Sequence, residues 1–110
     1  MSQNSQLIEI EVKRGFWLYD GVLRKTVMIF RINYDVYYEI EKDEGLDMSD
    51  DTPDLNEQGE SYLIRWPRQD FAENSGSFTV GGLTLNSAIE IVERTVSQKI
   101  DWITSPILLS

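Results

Sequence analysis

The chain has 110 residues, a formal net charge of −9 from 19 acidic and 10 basic side chains, and neither cysteine nor histidine. The lack of cysteine excludes disulfides, thiolate catalysis and sulfur-ligated zinc, and the lack of histidine removes the usual proton-transfer residue. The acidity argues against nucleic acid and anionic lipid as partners, because both are bound through basic counter-charge.

The composition indicates a single soluble domain over residues 1–110. A hydrophobic fraction of 41% is enough to build one core. No apolar run reaches the roughly 18 residues that span a bilayer. The N-terminal stretch MSQNSQLIEIEV also lacks the basic and long apolar regions of a secretory signal. We therefore expect a cytoplasmic protein without membrane contact, with a flexible tail over residues 1–6.

The first two strands are predicted by an alternating pattern and a turn dipeptide. Residues 7–14, LIEIEVKR, alternate apolar and charged side chains, which is typical of a half-buried strand. Asp20-Gly21 favours a two-residue type I′ turn, because both residues tolerate positive φ. That turn alone would set two glutamates beside apolar residues of the second strand, so we predict a one-residue bulge near Gly15. The predicted pairs are Ile8 with Ile32, Ile10 with Phe30, Val12 with Met28, and Glu9 with Arg31 as an ion pair.

The chain beyond the hairpin carries further strand patterns. Even positions are apolar throughout residues 28–40. A straight strand through all of them, at about 3.3 Å per residue, would be too long for this domain, so we predict a bend or an odd-length turn at residues 33–35. Residues 61–66, SYLIRW, predict a strand that Pro67 stops, and residues 77–82, SFTVGG, predict a short one.

A helix is predicted over residues 84–103. Thr84 is the expected N-cap, and Ser87 is an alternative start because Glu90 would complete its capping box. The predicted fold class is α+β: an antiparallel meander of four to five strands with one C-terminal helix packed on one face. The apolar stripe of the helix, at three- and four-residue spacing, consists of Leu85, Ala88, Ile89, Val92, Val96, Ile100 and Ile103.

The segment 39–60 carries all of the net charge. It holds ten acids and one base, and the rest of the chain has nine of each. We predict an acidic loop over residues 42–60, which is either a docking arm for a basic partner or a mobile, solvated loop. The segment lacks the D-x-[DN]-x-[DN]-G spacing of a calcium loop, so no metal or cofactor is predicted. Its candidate partner-binding residues are Asp43, Glu44, Asp47, Asp50, Asp51 and Asp54.

Three further residues are candidates for partner binding. The predicted register sets Trp17 opposite Arg24 and Phe16 opposite Lys25. Alternating aromatic and basic residues can clamp single-stranded nucleic acid, but near a hairpin tip they more often form structural cation–π contacts. Tyr37 points away from the predicted core side and would be exposed if only one sheet face is covered. The candidates are therefore Trp17, Arg24 and Tyr37, and nucleic acid is not an expected partner.

The function predicted from these features is protein–protein interaction. Residues 27–30 are apolar on both faces of their strand, so the second sheet face should be covered by the C-terminal tail, residues 106–110, or by a second copy in a homodimer. We expect a non-enzymatic module, such as an adaptor, inhibitor or immunity-like protein, that engages a macromolecule through a sheet face or the acidic loop. The alternative is a small-molecule-binding or carboxylate-based enzyme domain with a cleft between sheet and helix.

Overall fold

The computed structural model describes residues 6–47, 49–67 and 77–104. In these residues the chain forms a five-stranded antiparallel sheet and two helices. The strand order β4-β3-β2-β1-β5 makes the first four strands a meander, and the last strand joins the opposite edge. The predicted α+β fold with a C-terminal helix is confirmed. The elements are β1 (Glu9–Tyr19), β2 (Leu23–Ile32), α1 (Val36–Asp43), β3 (Ser61–Trp66), β4 (Ser77–Val80), α2 (Leu85–Val96) and β5 (Asp101–Thr104).

The β1–β2 hairpin turns at Asp20-Gly21, as predicted, but its connection and its register differ from the predicted ones. Asp20 and Gly21 have φ values of 56° and 74°, and the Val22 N–H donates to the Tyr19 carbonyl at 3.2 Å. The ladder nevertheless starts with Tyr19 opposite Leu23. The connection therefore has three residues, 20–22, and the predicted two-residue hairpin was wrong.

The bulge of β1 lies at Val12, because the pairing shifts between Glu11 and Lys13. One extra residue on the first strand was predicted, but its placement near Gly15 was wrong. As a result, Glu9 and Glu11 lie opposite apolar residues of β2, in the arrangement that the sequence argument rejected for a core face. The predicted pairs are all wrong: the observed ones are Glu9 with Ile32, Ile10 with Arg31, Glu11 with Phe30 and Arg14 with Met28, so three are displaced by one residue and that of Met28 by two.

Gly15 does not form the bulge but allows β5 and Ile100 to pack closely against β1. Gly15 lies opposite Trp102 of β5. A Cβ built on Gly15 would stand 2.6 Å from Ile100 Cγ2 and 3.0 Å from two atoms of the Trp102 ring. A side chain at this position would therefore push β5 and the residue that precedes it away from β1.

The start of α2 was predicted correctly and its end was not. The Thr84 hydroxyl oxygen accepts from the Ser87 N–H, and the Ser87 hydroxyl oxygen accepts from the Thr84 N–H. Thr84 and Ser87 thus form the capping box, and the alternative start at Ser87 was wrong. Ser97 adopts a left-handed conformation with φ 62° and ends the helix. Residues 97–103 are consequently not helical, and Asp101–Thr104 form an edge strand.

Helix α1 was missed by the sequence argument. The strand does bend after Ile32, as predicted, but a helix follows it. Asp35 is its N-cap, with Oδ1 accepting from the Tyr38 N–H at 3.2 Å. Apolar residues at even positions fit a strand, yet Val36 and Ile40 also satisfy the four-residue spacing of a helix. An aspartate just before such a spacing is the signal that could have revealed α1.

The sheet is buried on both faces. Helix α2 covers one of them, where Ala88 and Val92 join Val27, Ile29 and Ile64 in the core. On the opposite face Met28, Ile32 and Leu63 are also buried, which confirms the predicted burial of the second face. These residues are buried within one chain, so their burial does not require a second copy, and the homodimer stays a prediction. The tail expected to cover them, residues 106–110, lies outside the described residues.

The segment that includes α1 lies on this second face. The Ser61 hydroxyl donates to the Tyr34 carbonyl at 2.7 Å, and the Tyr37 ring lies 6.4 Å from that of Phe78. Within the described ranges, neither helix has the length and apolar character needed to cross a membrane.

Candidate functional site

The acidic segment is tied to the body of the protein near its start. Both carboxylate oxygens of Asp35 accept backbone N–H groups: Oδ1 caps α1 through Tyr38, and Oδ2 accepts from Asp54 at 2.8 Å. One side chain therefore fixes the start of α1 and pins the loop that returns from it. The loop that follows α1 is consequently held, at Asp54, to the N-terminal end of the helix.

A second anchor holds the end of the acidic segment. The amide of Asn56 donates to the Leu83 carbonyl at 3.0 Å, and its oxygen accepts from the N–H groups of Gln58 and Glu60 at 2.9 and 3.0 Å. The turn before β3 is thereby fastened to the chain that enters α2. Asparagine suits this role because its amide offers both donors and an acceptor.

The six acidic residues predicted as partner-binding residues are all exposed. The Ser49 N–H donates to Asp47 at 3.0 Å, and this bond lowers the pKa of that carboxyl. Lys42 lies 3.8 Å from Glu39 rather than beside one of the six. In the described part of the chain, no group of three or more acids has the arrangement of a metal site.

An exposed apolar patch lies beside these acids. The outer side of α1 presents Tyr37 and Ile40, which are 58% and 39% exposed, and Phe78 of β4 beside Tyr37 is 40% exposed. The spacing of three and four residues puts Glu41 and Glu44 on the same side of α1 as Tyr37 and Ile40. We call Tyr37, Ile40 and Phe78 the α1 patch. Tyr37 is exposed, but on a helix rather than on the strand from which its exposure was predicted.

The second sheet face also carries a polar cluster that the sequence argument did not find. Arg65 Nη2 donates to both carboxylate oxygens of Glu9, at 2.9 and 3.0 Å, and the Tyr34 hydroxyl donates to the same carboxylate. The predicted partner, Arg31, instead lies 3.5 Å from Glu60. No pattern in the sequence links Glu9 to Arg65, because the register of three strands brings them together.

The ionisation of this cluster suits a structural role. Partial burial alone would raise the pKa of Glu9, but the hydrogen bonds from Tyr34 and Arg65 and the charge of Arg65 outweigh it and lower the pKa. Burial first, and then the Glu9 carboxylate, raises the pKa of the Tyr34 hydroxyl far above its ordinary value. Both groups thus titrate far from neutral pH, whereas a proton-transfer group works best with a pKa near the operating pH.

The aromatic and basic residues of the hairpin form contacts that differ in detail from the predicted ones. Trp17 lies opposite Lys25 rather than Arg24, which lies opposite Leu18. The Arg24 guanidinium lies 4.2 Å from the centroid of the Phe16 ring. Lys25, predicted opposite Phe16, has its ammonium 5.6 Å from the Tyr19 ring centroid instead. The predicted pairs are wrong, but cation–π contacts do occur along the hairpin.

The structure divides the predicted site residues into two groups. Tyr37 and the acids belong to the segment on the second sheet face, whereas Trp17 packs against the core under α2. Two open grooves, of about 440 and 460 Å³, adjoin Trp17, and each has a single carboxylate among its described lining residues, Asp101 or Asp20. A smaller cavity of about 160 Å³ includes Asp35 and Glu39. The Asp35 carboxylate accepts two backbone bonds, and Glu39 lies 3.8 Å from Lys42.

Comparison with protein-family models, with curated proteins and with solved structures found no match for the chain. Its function is therefore argued from its own geometry.

Proposed function

We propose that the protein is a non-enzymatic interaction module that binds a basic protein partner through the α1 patch and the acids around it. The observation that carries the proposal is the exposure of the Tyr37 and Ile40 side chains on a helix anchored by Asp35. Protein interfaces combine an apolar, often aromatic centre with a polar rim. Tyrosine is among the residues that most often dominate binding energy in such centres.

The surrounding charge defines the class of partner. Glu41 and Glu44 flank the patch, and the loop that follows adds exposed carboxylates. The only base in residues 39–60 is Lys42. Rim charges of one sign raise the association rate of a partner of opposite sign and exclude partners of like sign. The partner surface should therefore have an apolar centre surrounded by lysine and arginine.

The anchoring of the segment favours binding over a purely solvated loop. A segment that must order itself on binding loses part of its interaction free energy. Here Asp35 already holds Asp54 to the start of α1, and Asn56 holds the end of the acidic segment to the chain that enters α2. The backbone that carries the acidic residues is thus already anchored, which reduces the conformational entropy lost on binding.

The test is capture of partners from the native host followed by measurement of the isolated complex. The wild-type chain should capture a defined basic protein, and Tyr37→Ala/Ile40→Ala should weaken the complex by about tenfold or more in calorimetry. Val22→Ala is the matched control, because Val22 is 82% exposed at the hairpin tip, away from the patch. Its affinity should equal that of the wild type.

The contribution of the acidic side chains around the patch is measured separately, through the association rate. Glu41→Lys/Glu44→Lys should lower the association rate and flatten its dependence on salt, since exposed charges act mainly on the encounter. A partner that binds both double variants as tightly as the wild type would show that the α1 patch is not the interface. We also propose a cytoplasmic location, which fractionation of the native host would check.

A further inference from the structure

A groove of about 460 Å³ lies where α2 ends against the β1–β2 hairpin, apart from the α1 patch. Three aromatic residues, Trp17, Tyr19 and Trp66, contribute to its wall. The volume falls in the range of pockets that hold small ligands or single side chains. The other lining residues are Asp20, Thr95, Val96 and Gln98.

The two indole rings present surfaces at right angles. The ring centroids of Trp17 and Trp66 lie 6.0 Å apart and the ring planes meet at 84°. A rounded cation in the corner between perpendicular rings can touch both π faces, whereas a flat guanidinium group stacks on one only. The negative face of an indole attracts cations more strongly than that of any other side chain. Tyr19, 59% exposed, adds a third ring at the rim.

The electrostatics of the groove also favour a cation. Asp20 supplies a carboxylate, and none of the described lining residues is basic. Thr95 and Val96 belong to the last turn of α2, the negative end of the helix dipole. Among the described residues, no backbone N–H outside the helix donates to the carbonyl of either.

One cation of the chain itself already lies near these rings. The Lys25 ammonium is 5.6 Å from the Tyr19 ring centroid, and Lys25 lies directly opposite Trp17 on β2. Lys25 is not one of the described lining residues of the groove, but its ammonium lies beside one of the three rings that line it. This position makes Lys25 the natural competitor of any cation that enters the groove.

We propose that this groove binds a methylated ammonium group, either as a free quaternary ammonium compound or on a methylated lysine side chain. Methyl groups make the ammonium round and weakly hydrated, so it loses little hydration when it contacts the two indoles. The site is independent of the proposed α1 interface, because Trp17 packs on the sheet face that α2 covers, opposite to the face of Tyr37.

The test is a titration of the full chain with choline, followed by indole N–H correlation spectra. The chain has three tryptophans, and the third is an internal control. Trp102 lies outside the groove and its Nε1–H donates to Glu93 at 3.1 Å. Choline should move the indole signals of Trp17 and Trp66 and leave that of Trp102 in place. Its neutral analogue, with carbon in place of the quaternary nitrogen, should bind about tenfold more weakly or worse.

Two substitutions separate charge from packing. Asp20→Asn keeps the shape and suits the left-handed φ of 56° at this position, and it should weaken choline binding about threefold to fivefold. Lys25→Met removes the competing ammonium and should tighten choline binding. Asp101→Asn, which changes an acid outside the groove, is the control and should have no effect.

Several results would overturn the proposal: no shift of the groove indoles, equal binding of the neutral analogue, or choline affinity unchanged by both Asp20→Asn and Lys25→Met. A trimethyl-lysine peptide and its unmethylated form distinguish the two sources of the ligand. Preference for the methylated peptide over choline identifies a protein side chain, and the reverse order identifies a free compound. Because no basic partner is used, failure here leaves the proposed α1 interface standing.

Discussion

Replacement of Gly15 by alanine should destabilise the fold because β5 packs against β1 at that glycine. A Cβ at this position would lie 2.6 Å from Ile100 Cγ2 and 3.0 Å from the Trp102 ring. Ordinary van der Waals contact begins at 3.4 Å, so the Ile100 methyl would have to move by about 0.8 Å. Ile100 is buried in the core, which leaves it little freedom to move.

The expected loss follows from two opposing effects. Forcing an extra methyl into a packed site typically costs about 1–3 kcal/mol. Alanine also restricts the unfolded chain, which returns about 0.4–1 kcal/mol at a compatible backbone position. Gly15 has no positive φ, so no backbone strain is added. The net effect should be a loss of about 1–2 kcal/mol in the free energy of unfolding.

Urea denaturation followed by tryptophan fluorescence measures this loss. A midpoint lower by about 1 M is expected, since domains of this size have slopes of about 1–3 kcal/mol per M. The double variant Gly15→Ala/Ile100→Ala is the informative control. Removal of the Ile100 methyls creates the space that the new Cβ needs, so the double variant should be more stable than the sum of the single effects predicts. A neutral Gly15→Ala, or strictly additive losses, would refute the close packing of β5 on Gly15.

Two further substitutions test the Glu9–Arg65 pair and the Asn56 anchor. Glu9→Gln should lower the free energy of unfolding by roughly 1 kcal/mol at neutral pH, a value reduced by the partial solvent exposure of the pair with Arg65. Because the folded state lowers the pKa of Glu9, this stabilisation is present above pH 4.5, the ordinary pKa of glutamate, and is lost as pH falls through the lower folded value. Urea titrations at neutral pH and at about pH 3 check this, and a gap between the variants that widens on acidification would contradict it. Asn56→Ala should cost about 2 kcal/mol and speed hydrogen exchange at the Glu60 amide, because three hydrogen bonds of its side chain are lost. Gln58→Ala, which removes an exposed side chain with no hydrogen bond of its own among the described residues, is the control, and equal stability of the two variants would count against the anchor.

The sequence predicted the features that depend on neighbouring residues. Asp20-Gly21 forms its positive-φ turn, and Thr84 caps α2, because both depend only on residues within one turn of chain. The candidate interaction site was predicted in part for the same reason. The confinement of the net charge to residues 39–60 follows from the order of residues along the chain, whereas Tyr37 is exposed on a helix that the alternating pattern did not predict.

The tertiary structure decided the features that depend on contacts between segments distant in the sequence. The register between β1 and β2 depends on two extra residues, Val12 in β1 and Val22 in the turn. The alternating pattern of one strand does not show whether the neighbouring segment contains an extra residue. The partner of Glu9 is Arg65 rather than Arg31 for the same reason.

The end of α2 is a second feature that the local sequence pattern did not predict. The apolar spacing of Val92, Val96 and Ile100 fits a continuing helix, yet Ser97 reverses the chain. Ile100, just before β5, is still buried in the core, because Gly15 of β1 has no side chain and leaves space for the Ile100 methyl group. Local periodicity therefore identified Val92 and Ile100 as buried, although Ile103 of the same stripe is 43% exposed, and the space left by the rest of the fold determined the backbone that buries Ile100.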